Sequence, residues 1–164
     1  MCSSDLHFSP DNILLVAKAL LDKLVSLDPE NKEYYNNNYN NFISLFSKKI
    51  QEWRQIKIKN EIIVIHRNYS YLLKWLHIEK YDALEKYSGV NPSLKHLKYL
   101  RDKFATDKNF TAFISNFDDK SLIKWLREFT NIDVLMIEYS PDFDEDIISF
   151  FDKVFKKISD SQNL

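Results

Sequence analysis

The chain of 164 residues contains a single cysteine, Cys2, and a single glycine, Gly89. One cysteine excludes an intrachain disulfide and any CxxC zinc spacing, and it leaves the redox compartment unread. One glycine excludes the Gly-rich loops that cradle phosphates in Walker and dinucleotide sites. An excess of one charge is missing too: 23 basic and 24 acidic residues leave a formal net charge of −1. That balance argues against a general nucleic-acid binder, which carries a basic excess. No apolar run approaches the ~20 residues of a membrane span. No apolar stretch ahead of a cleavage site marks a signal peptide, so the chain as written is expected in the cytoplasm. GxSxG and HExxH are absent, and no Ser/His/Asp set sits in a nucleophile motif. The expectation is therefore a protein that is not an enzyme, with a small α/β enzyme as the weakest alternative.

What is present is a substantial core composition, 45% hydrophobic and 15% aromatic. It suits one domain and is far from disorder. The most informative stretch is Glu61–His77. Ile62, Ile63, Val64 and Ile65 form a β-branched run that reads as a buried strand of a parallel sheet. Tyr69, Leu72, Leu73 and Leu76 follow at helical spacing. His66 thus falls at the carboxyl end of a strand, where open α/β sheets bind ligands.

The rest of the chain fits this frame. Ser9-Pro10 opens a helix whose apolar stripe runs Ile13, Val16, Ala17, Leu20, Leu24 and Leu27. Asp28-Pro29 ends it and starts a long second helix, to about Ile56, with the stripe Tyr35, Tyr39, Phe42, Phe46, Lys49, Trp53 and Ile56. Beyond it, strands and helices alternate. Strands are expected at Glu61–Ile65, weakly near Ile78–Leu84, at Phe110–Ser115 and at Asp133–Ile137. Helices are expected at Tyr69–His77, from Ser93 to about Phe104, at Asp119–Phe129, and from about Asp144 to Ile158. Gly89-Val90-Asn91-Pro92 reads as a turn. Alternation of this kind implies a parallel sheet with right-handed crossovers. The expected fold is α/β: a long linking helix plus a four-stranded parallel-sheet lobe flanked by helices. Residues 1–57 form the amino-terminal segment and long helix, and 58–164 the lobe.

Several segments together resemble the carboxy-terminal part of the zinc/manganese substrate-binding proteins of bacterial ABC transporters. Asp5-Leu6-His7-Phe8-Ser9-Pro10 is similar to that family's Asp-Pro-His-x-Trp-Leu-x-Pro motif. Leu27-Asp28-Pro29-Glu30-Asn31 with Tyr34-Tyr35 is similar to the "LDPEN…YY" opening of its long helix. Ile65-His66-Arg67-Asn68-Tyr69-Ser70-Tyr71-Leu72 is similar to "(Y/F)HDAFGYF". Gly89 to Leu97 is similar to its "G-x-x-P-S-x-x-x-L" turn and helix, and Val134–Glu138 takes the place of its last strand, which ends in "LDP".

The resemblance implies half of a two-lobed metal-binding fold and a zinc or manganese ion as the bound species. It assigns metal-ligand positions to His7, His66 and Glu138; the family's first ligand, a histidine of the amino-terminal lobe, has no counterpart here. Two histidines and a glutamate can hold zinc with a water in the fourth place, and manganese accepts more carboxylate and water. The pattern also departs from the family. The Trp-Leu pair after His7 is deleted, Arg67 replaces an aspartate, and Glu138 replaces an aspartate. His7, near a chain end, is expected to be mobile. His77 and His96 are expected to be exposed on helices, and the acidic run Asp142–Asp146 to favour a helix N-terminus rather than calcium. The family also implies periplasmic location and an ABC-transporter permease as partner. An apolar side of the long helix leaves self-association open. The alternative to metal binding is a remnant or interaction domain that keeps the α/β fold and has lost the site.

Overall fold

The computed structural model describes residues 3–85, 87, 89–106, 109–130 and 132–162. The side chains of residues 3–5 lie outside this set, so Asp5 of the first motif is not among the described ones.

A 3-10 segment, Ser3–Phe8, leads into α1 (Pro10–Leu27). Ser9 is extended and Pro10 takes the first helical position, where its missing N–H costs nothing. Pro29 pushes the residue before it out of the helical region, and Asp28 sits at φ −139°, ψ 75°. A short 3-10 turn, Pro29–Asn31, then starts α2 (Lys32–Trp53), antiparallel to α1. In α2 only Phe46, Ile50 and Trp53 are buried, all in its second half. The Asn-rich first half packs on α1 beside a groove of about 350 Å³ lined by Leu20, Leu24, Tyr35 and Phe42.

The lobe contains β1 (Glu61–Val64), α3 (Ser70–Trp75), β2 (Asp82–Ala83), α4 (Leu94–Thr106), β3 (Phe110–Ile114), α5 (Lys120–Phe129), β4 (Asp133–Met136) and α6 (Ile147–Ser161). The four strands form one parallel sheet in the order β2-β1-β3-β4. Strand residues alternate between two cores. Ile62, Val64 and Phe113 face α2, α3 and α6, with Phe150, Phe151, Val154 and Phe155. Ile63, Ile65, Ala112 and Ile114 face α4 and α5, with Leu100, Phe104, Leu122 and Leu126. Both faces of the sheet are covered, which is why β1 reads as an unbroken apolar run. The expected fold class is the one observed.

Some boundaries differ. The weak strand expected near Ile78–Leu84 is reduced to the pair Asp82–Ala83. The helix expected over Tyr69–His77 is the single turn and a half Ser70–Trp75, preceded by the 3-10 turn Arg67–Tyr69. His77 lies beyond it with φ 60°, a left-handed conformation that stops the helix. The last helix starts at Ile147 rather than near Asp144, because the Asp146 carboxylate accepts the Ile148 and Ser149 N–H groups at 2.9 and 3.0 Å. His96 is half-buried rather than exposed, its Nε2 donating to Ala83 O at 3.0 Å.

Candidate functional site

In a sheet ordered 2-1-3-4 the connections leave β1 and β3 in opposite directions, which opens a crevice at their carboxyl ends. His66 follows β1 and Asp118 follows β3, so the two residues face each other across that crevice. His66 Nδ1 stands 3.0 Å from Asp118 Oδ1, with the aspartate side chain 1% exposed. The contact is close but lacks the alignment of a hydrogen bond, and Oδ1 is one of the buried side-chain oxygens without one. The other oxygen, Oδ2, accepts the Ser115 N–H at 2.6 Å and fixes the carboxylate. Burial pushes the Asp118 carboxyl up, and the Ser115 N–H and His66 only partly offset this. Nδ1 is turned to the aspartate, and the imidazole is 29% exposed.

Glu138 follows β4, one strand further from β1, so the ends of β1 and β4 are roughly 10 Å apart at the backbone. Its Oε1 pairs with the ammonium of Lys157 on α6, while Oε2 is buried without a hydrogen bond. Burial raises the carboxyl, but Lys157 and its own backbone N–H hold it below the ordinary range.

His7 arrives from the 3-10 segment ahead of α1. It is anchored rather than mobile, because the next residue, Phe8, is fully buried against Tyr69, Tyr139 and Phe150. His7 Nε2 donates to Tyr139 O at 2.8 Å; a carbonyl only accepts, so Nε2 carries the proton. Tyr69 closes the floor. Its hydroxyl donates to Ile137 O at 2.9 Å, and burial drives its phenol far above the ordinary range.

The three residues assigned by resemblance thus lie at one end of the sheet, each turned to a partner within the chain. Among the described residues no group of three or more His, Cys, Asp or Glu stands ready to hold a metal ion. Arg67, beside His66, draws its guanidinium over the Tyr81 ring at 5.6 Å, toward β2. The site residue missed in the sequence is Asp118. Its one signal was the Asp118-Asp119 doublet after a strand, of which Asp119 caps α5 by accepting the Ser121 N–H at 2.7 Å.

The same fold recurs in solved structures. A zinc-bound deletion mutant of ZnuA superposes with a TM-score of 0.80 at 21% identity, over 96% of this chain and 60% of that one. The manganese complex of FpvC from Pseudomonas aeruginosa gives 0.73 at 18%, over 97% and 59%. The Zn(II)-bound ZnuA-like domain of Streptococcus pneumoniae AdcA gives 0.74 at 17%, over 98% and 64%. The chain therefore spans about three-fifths of the length of these structures. No curated protein matches it. A family model described as "ZnuA: Zinc-uptake complex component A periplasmic" matches residues 4–160. That description is of an uptake component and not of an enzyme. It also overturns the cytoplasmic expectation, which rested only on the lack of a leader in the sequence as given; the family is periplasmic. With nearly its whole length matched, the chain belongs to the ZnuA family of periplasmic zinc-uptake components.

Proposed function

We propose that the chain corresponds to the carboxy-terminal lobe and linking helix of its family, and that it acts through protein contacts instead of holding a metal ion by itself. The observation that carries this is that, among the described residues, no three of His, Cys, Asp and Glu are gathered to hold an ion. The His7 Nε2 lone pair is replaced by a proton directed at Tyr139 O, and Glu138 is paired with Lys157. Among the described residues the three positions are not gathered into a group that could hold an ion, and a zinc site takes three protein donors or more. The residues present therefore do not fit the ion as they stand. An uptake component works beside a membrane permease, so that class of partner is the natural counterpart.

Thermal melting with and without zinc or manganese tests the proposal. Free metal at 100 times its Kd would stabilise the fold by about 2.7 kcal/mol, or roughly 5–10 °C in Tm for a chain of this size. The expected result is an unchanged Tm and no calorimetric heat. A rise that disappears in a His66→Ala/Glu138→Ala variant would overturn the proposal in favour of zinc or manganese at His66, Glu138 and His7.

A further inference from the structure

Helices α4 and α5 cover one face of the sheet, and α2, α3 and α6 the other. Both connect parallel strands, so they lie side by side and point the same way. Leu100 and Phe104 of α4, and Leu122 and Leu126 of α5, are buried on the sheet. Helical spacing then turns Lys95, Lys98 and Asp102 of α4, and Lys120, Lys124 and Glu128 of α5, to the opposite side, and all six are exposed. Arg101 and Arg127 stand at the flanks of that side and are exposed too. Together the two helices carry seven basic residues and two acidic ones, in a chain of net charge −1.

Among the described residues, the charges around this surface do not cancel it. Lys103, the seventh cation, turns back to the sheet, where it pairs with Asp82 at 2.6 Å and Glu61 at 3.5 Å and stands over the Phe110 ring. These three charges lie at the level of the strands, beneath the outer side of the helices. Glu85 and Asp118 are buried. Asp133 shares its side of β4 with Leu135, which packs against the other core. Asp119 is exposed at the amino end of α5, where it accepts the Ser121 N–H and hydroxyl at 2.7 Å. Six outward cations therefore stand against Asp102, Asp119 and Glu128. Two of these carboxylates are matched on their own helix, Asp102 by Arg101 at 2.9 Å and Glu128 by Lys124 at 3.7 Å. Lys95, Lys98, Lys120 and Arg127 make no ion pair among the described residues. Leu94 and Tyr99 of α4 and Phe129 of α5 are interspersed with them and are 87%, 59% and 58% exposed.

We propose that the outer side of α4 and α5 rests on an anionic phospholipid bilayer. Two neighbouring helices about 10 Å apart, the longer about 20 Å in length, set the cations in one shallow layer that a flat surface meets all at once. Each Lys or Arg near an anionic lipid surface strengthens attachment about fivefold, so four unpaired cations support a weak and reversible contact. Leu94, Tyr99 and Phe129 are of the kind that settles among headgroups, while the lysine stems keep their ammonium groups in water. Among the described residues no helix is long and apolar enough to cross a membrane, so the contact is a peripheral one. The family is periplasmic, in a compartment bounded by phospholipid and without chromosomal nucleic acid, which sets lipid ahead of a polynucleotide as the anion. The inference goes beyond the reading of the crevice and uses a different face, so it holds with or without a metal ion.

The test is co-sedimentation of the whole chain with vesicles of phosphatidylcholine alone or with about 30% phosphatidylglycerol. Binding to the anionic vesicles is expected to be about tenfold or more stronger than to the neutral ones, and to weaken about tenfold between roughly 50 and 300 mM salt. Lys98→Gln/Lys120→Gln removes two of the unpaired cations and is expected to weaken binding about 25-fold, with an unchanged far-UV circular dichroism spectrum. Lys32→Gln/Lys48→Gln makes the same change in net charge at exposed positions of α2 and is expected to stay within about twofold of the parent. No vesicle binding at low salt, equal binding to neutral vesicles, or equal losses in the two lysine variants would overturn the proposal. So would tighter binding to a Glu-rich peptide or to a single-stranded oligonucleotide than to the vesicles, which would assign the surface to an acidic protein or to nucleic acid. The two readings fail separately. A metal-dependent rise in Tm with vesicle binding intact overturns only the earlier one; a metal-indifferent Tm without vesicle binding overturns only this one.

Discussion

Trp53→Ala is the sharpest test of how the helical hairpin is held on the sheet. The indole is 4% exposed at the end of α2 and lies 5.1 Å from Phe155, 5.4 Å from Phe151 and 5.5 Å from Phe46, centroid to centroid. Its Nε1 donates to Asp152 Oδ1 at 2.9 Å, and the same carboxylate pairs with Lys49. Deleting a buried Trp side chain costs about 3–5 kcal/mol where the cavity does not collapse. Rings from α2 and α6 line this one on several sides, so the cost falls near about 4 kcal/mol. For a chain of this length that is a fall of about 8–16 °C in Tm. Trp53→Phe keeps the ring packing and loses the indole N–H, so only about 1–2 kcal/mol is expected. Urea unfolding followed by far-UV circular dichroism gives both values. A Trp53→Ala cost below about 1 kcal/mol would refute the idea that α2 is fastened through this cluster. Hydrogen exchange adds a second readout: amides in the first half of α2, which buries no side chain, should exchange faster than those near Trp53.

Asp118→Asn tests whether the crevice carboxylate is a stability cost. Its folded pKa is raised by burial, so the stability this group contributes is full below its ordinary value of 3.8 and is lost as pH rises through the folded value. The asparagine variant is therefore expected to gain on the parent as pH rises above 3.8 in urea melts, and a relative loss over that rise would contradict the burial argument. Asp146→Ala removes the cap of α6 and should cost about 1 kcal/mol at neutral pH. The Asp146 carboxyl is held low by hydrogen bonds from Ser149, so the parent's advantage should be present above pH 3.8 and fade as pH falls through the lower folded value.

The sequence displays those parts of the fold that are fixed by local composition. Ile62–Ile65 announces β1 because both faces of a parallel strand are buried, and Pro10 and Pro29 mark helix starts because a ring fixes φ. Elements held by long-range contacts were not legible. β2 has two paired residues and no apolar alternation; its place is set by Leu84 N and Glu85 N donating to Val64 O and Ile65 O. The start of α6 lay among the acidic residues Asp142–Asp146, any of which suits a helix N-terminus, and only the hydrogen bonds single out Asp146. In the site, His66 and Glu138 were legible as residues after strands. Asp118 was not, because its pairing with His66 depends on β1 and β3 being neighbours, which the order along the chain does not reveal.

The residues after the strands are placed by the sheet, and among the described residues they are not gathered into a metal-holding group. A residue directly after a parallel strand is placed by the sheet, and the sheet is placed by two apolar cores that tolerate wide substitution so long as volume and pattern are kept. Position is thus inherited with the fold. Coordination needs something more: free lone pairs converging on one point, with each ligand oriented by its own supporting partner. Here one supporting partner is in place, Asp118 behind His66. At Glu138 the carboxylate is instead paired with Lys157, and at His7 the Nε2–H is held by Tyr139 O. The "(Y/F)HDAFGYF" pattern points the same way. Asn68 and Tyr69 put a carboxamide and a hydroxyl where that pattern has Ala and Phe, and both are buried at the same sheet end. Polar groups added under a crevice rearrange its hydrogen bonds and leave the cores untouched. The fold is therefore held by the two cores, and the crevice residues at the strand ends are free to pair among themselves without disturbing it.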